Sequence, residues 1–364
     1  MSAQITNYQC PNCTGPLKFV GQTGMLGCEY CGTQYEVSVI EQLFADKEQA
    51  AAAVGTEPRW DMSMAGGDWS PEELANMRGY SCPSCAAEII CDATTAATSC
   101  PYCGNPTVVP GQFTGQLRPD FIIPFKLDKN SAIAALTNYY KGKKLLPKCF
   151  ATKNHIDEIK GIYVPFWLFD GESYANMRFR GTKVRRYRQG QYDVTETEHY
   201  RVIREGNVAF EKVPVDGSSK MPDAHMDAIE PFVYNELRPF SSAFLPGFLA
   251  DKYDVDAETC SQRANVRIKA STEQAFAATT TGYTSLTPEY SVFNLQKGDV
   301  RYALLPVWML HTKWNGNDYL FAMNGQTGKL IGDLPVDKGL YWSWFARLAL
   351  PTAAVLAAIL FLLF

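Results

Sequence analysis

Eight of the eleven cysteines fall into four Cys-x2-Cys pairs: Cys10 with Cys13, Cys28 with Cys31, Cys82 with Cys85, and Cys100 with Cys103. Two intervening residues let both thiolates of a pair grip one ion, and four thiolates make the closed tetrahedral set that Zn²⁺ takes in structural sites. The first unit, YQCPNC with CEYCG, recurs 72 residues later as YSCPSC with CPYCG, and fourteen residues separate the pairs in both. Proline follows Cys10, Cys82 and Cys100 and stiffens those turns, while Gly32 and Gly104 supply the positive φ that follows a knuckle. The pattern predicts two structural Zn²⁺ sites. A catalytic ion is not expected, because four thiolates leave no position open for water. The spacing alone does not choose the metal, and iron in a rubredoxin-like site is the competitor. Cys91, Cys149 and Cys260 stand alone, and Cys91 is read as a small buried residue.

Other residues that could do chemistry are sparse. Arg178–Arg188 (RFRGTKVRRYR) carries six basic side chains interleaved with aromatics. It fits either phosphate contacts with base stacking on Phe179 or Tyr187, or a solvated hairpin whose arginines face Asp193, Glu196 and Glu198. The acidic balance of the chain favours the hairpin. The four histidines, His155, His199, His225 and His311, make no HExxH. GQTGKL at 325–330 lacks the first glycine and the Ser or Thr of a phosphate loop, and neither GxSxG nor GxGxxG occurs. No active site is nominated, so the expectation is a non-enzyme. A polar site made of His225, Asp223 and Asp227 would be needed to reverse it.

Positioning these residues requires folded elements, and the composition permits them. The 364 residues are 46% hydrophobic and 20% charged, with net charge −4 and a pI near 5.7. That balance supplies no global positive field for nucleic acid or anionic lipid. An odd cysteine count with metal-type spacing points to a reducing compartment. The first residues, MSAQITNYQC, lack the basic and apolar regions of a secretory signal.

Leu348–Phe364 holds 17 residues without a charge, preceded by Tyr341, Trp342, Trp344, Phe345 and Arg347. Interfacial aromatics and a snorkelling arginine before an apolar run predict a single-pass membrane anchor. A buried terminal helix would show a polar stripe, and none is present. Lys338 and Arg347 on the near side place the bulk of the chain in the cytoplasm and the anchor in the inner membrane, by the positive-inside rule.

The expected organisation is a first zinc ribbon (1–40), a helical and flexible linker (41–78), a second zinc ribbon (79–110), an α+β domain (118–336) and the anchor (341–364). Val39–Val54 is helix-prone, and Ser70 before Pro71-Glu72-Glu73 caps a short helix. The two β ribbons read as beads on a semi-flexible string. In the α+β domain, with its mainly antiparallel sheet, FIIPF (121–125), IYVPFWLF (162–169) and LLPVWML (304–310) read as buried strands with a proline at a bulge or edge. Pro165 and Trp167 match Pro306 and Trp308, which suggests a duplicated hairpin unit. Helices are expected near Ser131–Tyr140, opened by Asp128 or Asn130, and Asp256–Phe276, with Cys260, Ala264, Ile268 and Ala275 on one face.

The CPxC ribbons, the phrases FIIPFKL, KGIYVPFWLFDG, MPDAHMDAIEPF, LRPFSSAFLPGFLADKYDVD and FAMNGQTGKLIGDLP, and the terminal apolar run together resemble one bacterial family. These are the TFIIB-type zinc-ribbon membrane proteins, often labelled primosomal helicase-like. The missing nucleotide-binding motifs give the helicase label no support. Members are encoded in some bacteria beside phage-shock-type and flotillin-like SPFH proteins. The resemblance therefore implies a membrane-stress scaffold whose partners are the bilayer and such proteins, with the eight knuckle cysteines as ligands and with oligomerisation compatible. Asp170 and Asp254 recur in the family-like phrases, where a turn or cap role explains them equally well. A membrane-tethered nucleic-acid-binding protein is the alternative.

Overall fold

In the computed structural model, the residues described are 10–11, 17–21, 23–40, 42, 60–97, 99–106, 108–111 and 117–363. Cys13, most of the helix-prone run 39–54 and the start of the linker lie outside them. The chain divides into two compact units. The larger comprises 60–171, 209–268 and 297–364, and the smaller 1–59, 172–208 and 269–296.

In chain order the strands are β1 Leu17–Val20, β2 Met25–Cys28, β3 Gln34–Glu36, β4 Met77–Ser81, β5 Glu88–Asp92, β6 Val109–Gly111 and β7 Phe121–Ile122. They continue as β8 Lys160–Gln189, β9 Tyr192–Asp216, β10 Arg238–Pro239, β11 Leu249–Asp251, β12 Ser285–Trp314, β13 Asn317–Asn324 and β14 Leu330–Gly332. The helices are α1 Pro71–Ala75, α2 Lys129–Tyr140, α3 Lys153–Ile156, α4 Asp223–Ala228, α5 Ala257–Ala278 and α6 Lys338–Leu363.

Sequence pattern explains the long strands. Residues 161–169 of β8 are buried without interruption, as the continuous apolar run demands. From Ser173 onward burial alternates, with Ala175, Met177 and Phe179 inward and Asn176, Arg178 and Arg180 outward. One strand thus passes from burial on both faces to burial on one.

The large sheet runs β10-β7-β12-β8-β11-β5-β4-β6, with β13 on β12, β14 on β13 and β9 on β8. It is mixed, with parallel pairings among the antiparallel ones that were expected. β7 pairs parallel to β12 (Phe121 with Ala303) and β11 parallel to β8 (Leu249 with Ile162). Hairpin signals are local, so they cannot reveal pairings between strands this far apart in sequence.

Those parallel pairings belong to two copies of one motif, a fuller duplication than the matched Pro-x-Trp suggested. The Gly217 N–H donates to the Pro165 carbonyl and Gly325 to Pro306, both at 2.8 Å. The Gly217 carbonyl accepts from the N–H groups of Asp254 and Val255, and the Gly325 carbonyl from Lys126 and Leu127. Asp256 then accepts from the Thr259 N–H and Asp128 from the Ser131 N–H, each at 2.8 Å, so each copy caps a helix. Trp167 meets Tyr253, and Trp308 meets Phe125, with the same 5.1 Å separation and 65° tilt.

The remaining expectations divide. Ser70 and Glu73 form a capping box on α1, and Asp128 opens α2. On α5, Cys260, Ala264 and Ile268 are buried as read, but Ala275 is exposed and Thr272 continues the stripe at four-residue steps. The expected linker is built into the larger unit from Trp60 onward. Trp60 is buried with its ring edge-on to Phe169 at 4.8 Å, and Gly67 and Arg118 exchange backbone hydrogen bonds. A tryptophan's apolar area outweighs the ordering cost that the Gly-rich composition implied. The second cysteine unit is likewise no separate bead, because β5 pairs with β11 (Ile90 with Ala250). Ile89, Cys91, Ala97 and Tyr102 lie in the same apolar core as Val164, Phe166 and Leu305.

Candidate metal centres

Each knuckle is a turn between short strands. β4 delivers Cys82, the chain turns through Pro83, Ser84 and Cys85, and β5 leaves in register with Ser81 opposite Glu88. The Cys82 N–H donates to the Ala87 carbonyl, and the Ala86 N–H returns to the Cys82 carbonyl, both at 2.9 Å. The pair of bonds repeats at Cys100 with Asn105 and Gly104, and at Cys28 with Thr33 and Gly32. The residue after each second cysteine lies at positive φ: 56° at Ala86, 69° at Gly104 and 71° at Gly32. Two of the three are glycine, as the geometry favours.

These turns bring Cys82, Cys85, Cys100 and Cys103 together with all four Sγ atoms within 4.8 Å of one another. The Cys82–Cys103 and Cys85–Cys100 Sγ separations are both 3.6 Å. Tetrahedral thiolates about 2.3 Å from a Zn²⁺ stand about 3.8 Å apart, so the donor set fits such an ion. Cys10, Cys28 and Cys31 form a second group within the same limit, with Cys10 and Cys31 at 3.6 Å. Three of the four expected ligands therefore meet, and the fourth, Cys13, is outside the described residues. Both groups can hold a metal ion.

Surrounding groups tune the thiols. Burial raises the Cys82 thiol, but N–H groups of Cys85 and Ser84 and the neighbouring thiols outweigh it and bring it down to about 7. Burial pushes Cys85 and Cys100 up. The Lys160 ammonium donates to the Ser99 carbonyl at 2.8 Å just before the second knuckle, and burial lowers its pKa. Cys91 is fully buried in β5, its thiol donating to the Thr95 carbonyl at 3.0 Å, which agrees with a packing role.

The other candidates do not assemble a site. Asp223 and Asp227 lie four apart on α4 and both meet Arg263, at 2.8 Å each, while His225 turns instead toward Asp333 at 3.1 Å. Arg263 also holds buried Asp216, and Arg267 holds Glu230, so the cluster is a charge-compensated lattice. Asp170 accepts from the Lys212 N–H and Asp254 from the Ser219 N–H, which tie segments far apart in sequence and are not the local turn or cap bonds expected. Asp251, fully buried with the Ser218 hydroxyl donating to it at 2.5 Å, escaped sequence reasoning. Its position two residues after Leu249 in a three-residue strand carried no signal.

Arg178–Arg188 does form the outer part of a β8–β9 hairpin, turning at Gly190 with φ 65°. Arg180 pairs with Glu289 at 2.5 Å, Arg178 lies over Tyr290, and Lys183 lies over Tyr200 and Tyr283. Arg185, Arg186 and Arg188 are exposed and form no ion pair among the described residues, so the expected partners Asp193, Glu196 and Glu198 do not engage them.

The last element is α6, of which Lys338–Phe361 is long and apolar enough to cross a membrane, with none of its most apolar stretch buried. Pro351 lies inside it, and the Thr352 hydroxyl donates to the Leu348 carbonyl at 2.8 Å, the kind of internal satisfaction that lipid requires.

Fold and centres together define a mixed-sheet protein with cysteine centres and one C-terminal apolar helix. No protein-family model and no solved structure matches the chain. It is 34% identical over 346 residues, 95% of this chain and 94% of the relative, to the Bacillus subtilis (strain 168) protein described as "Uncharacterized protein YdjG". The chain belongs to the YdjG family.

Proposed function

We propose that the protein is a non-enzymatic adapter, held in the inner membrane by α6, whose cytoplasmic surface recruits other proteins to the bilayer. The observation that carries this reading is α6 itself, an apolar helix whose most apolar stretch the protein leaves uncovered. In water that stretch would be a large exposed apolar surface, and in a bilayer it is satisfied on every side. The cysteine groups act as structural Zn²⁺ sites in this reading, because four thiolates close the coordination sphere. Resemblance to the TFIIB-type zinc-ribbon membrane family makes phage-shock-type and SPFH-type proteins the partners to look for.

Proximity labelling from membranes, with the full chain and with a chain ending at Lys338, tests the recruiting role. Enrichment of such membrane-stress proteins by the full chain, lost on truncation, supports it. An identical set of neighbours for both forms contradicts it.

One observation favours a second reading, nucleic-acid binding through the exposed Arg185, Arg186 and Arg188. Retention of DNA or RNA at low salt that disappears on replacing all three with glutamine supports that reading, and no retention removes it.

A further inference from the structure

We propose that the lysine-rich segment between α2 and α3 is a docking surface for anionic phospholipid headgroups. The proposal rests on the reading of α6 as a membrane anchor. Between Asp128 and Asp157 the chain has no acidic residue but carries Lys129, Lys141, Lys143, Lys144, Lys148 and Lys153. That concentration stands out in a chain whose net charge is −4. Lys141, Lys143, Lys144, Lys148 and Lys153 are exposed, and none forms an ion pair among the described residues. A run of charge is ordinarily a solvated face, and the position of this one argues otherwise.

The Lys144 ammonium lies 4.3 Å from the centroid of the Trp344 ring, and the Arg347 guanidinium lies 5.9 Å from the same ring. Trp344 precedes Leu348, the start of the charge-free run, by four residues. At about 1.5 Å per residue it stands about 6 Å on the water side of the hydrocarbon. The headgroup layer is about 5 to 8 Å deep on each side, so Trp344 falls within it and Lys144 with it.

The turn is fixed there. The Asp337 N–H donates to the Leu145 carbonyl at 2.9 Å, tying the start of α6 to the lysine turn, and Lys143 stacks over Tyr139 at 4.7 Å. Nearby carboxylates are engaged: Asp128 caps α2, Asp337 accepts from the Leu340 N–H, and Glu158 faces His155. Those carboxylates keep their charge, but the run between Asp128 and Asp157 holds six lysines and no acid, so it meets the bilayer with net positive charge, the arrangement that attracts anionic lipid next to a spanning helix.

The test reconstitutes the full chain into vesicles of phosphatidylcholine alone or mixed with phosphatidylglycerol, and measures acylation of each lysine by a water-soluble reagent. Flotation of the vesicles reports insertion separately. The expected result is equal flotation in both, with acylation of Lys141, Lys143, Lys144 and Lys148 several-fold slower in the anionic vesicles and the slowing reversed by salt. A chain with those four lysines replaced by glutamine should float equally with both vesicles, which separates insertion from headgroup docking. Flotation with equal acylation in both vesicles overturns the docking surface and leaves the anchor standing. Absence of flotation overturns both. Slowing by an added oligonucleotide, with none from phosphatidylglycerol, assigns the face to nucleic acid and overturns the lipid assignment.

Discussion

Trp167 and Trp308 hold equivalent places in two copies of one motif, their indole nitrogens donating to the carbonyls of Val255 and Leu127 at 2.9 and 3.1 Å. Each bond lands on the residue just before a helix-capping aspartate, so each tryptophan locks a long strand to the start of a helix. The strand paired with the tryptophan's own strand leads into that helix in both copies, β11 into α5 and β7 into α2. The large sheet is therefore held by two like clasps.

The clasps leave no room at their glycines. A Cβ on Gly217 would stand 2.9 Å from the Trp167 Nε1, and one on Gly325 would stand 2.6 Å from the Phe125 ring. Gly217→Ala and Gly325→Ala should each destabilise the fold by about 2 kcal/mol. Gly206→Ala, with nothing within 4 Å, should change stability by less than about 0.5 kcal/mol. Denaturant melts of the three variants check the contrast, and equal effects would disprove it.

The two cysteine groups should differ in what they support. Cys82→Ser should lose about half the bound metal and destabilise the larger unit by several kcal/mol, because Cys82 and Cys100 lie in its core. Cys10→Ser should lose a similar share of metal and leave the unfolding of that unit unchanged. Metal analysis with hydrogen exchange across Val164–Leu168 reads both quantities.

Ala86 stands where the other described knuckles carry glycine, at φ 56°. The left-handed conformation costs an alanine about 1–2 kcal/mol, and glycine returns about 0.5–1 kcal/mol of that as chain entropy. Ala86→Gly should raise stability by about 0.5–1 kcal/mol, seen as slower metal release to a chelator. Faster release would contradict the strain argument.

Asp216 predicts a pH dependence. Burial raises its carboxyl to about 6 from 3.8, against the attraction of Arg263 and with added repulsion from Asp223. A group whose folded pKa is raised contributes stability that is full below the unfolded value and fades as pH climbs through the folded value. Stability should fall between about pH 4 and pH 6 by at most about 3 kcal/mol, and Asp216→Asn should flatten that slope. Melts across the interval decide it, since an unchanged slope in the variant would assign the dependence elsewhere.

What could be read from sequence was what local spacing encodes. Three of the four cysteine pairs, the Ser70 cap, the Asp128 cap and the Cys260–Ala264–Ile268 stripe all depend on residues a few positions apart, and the structure has each of them. The Pro-x-Trp match between β8 and β12 pointed to a repeat whose extent appears only in hydrogen bonds to Val255 and Leu127. The pairing of Ile90 with Ala250, which draws the second cysteine unit into the large sheet, depends on contacts far apart in sequence. Trp60 misled for the opposite reason: one buried ring orders a segment whose average composition reads as linker. The buried Asp251 carried no local pattern at all.

The central claim is that α6 holds this protein in a membrane. Alkaline carbonate extraction of membranes from cells making the full chain or a chain ending at Lys338 tests it most directly. The full chain should stay in the pellet while the truncated chain moves to the supernatant. A full chain released by carbonate, or a truncated chain that stays behind, would contradict it.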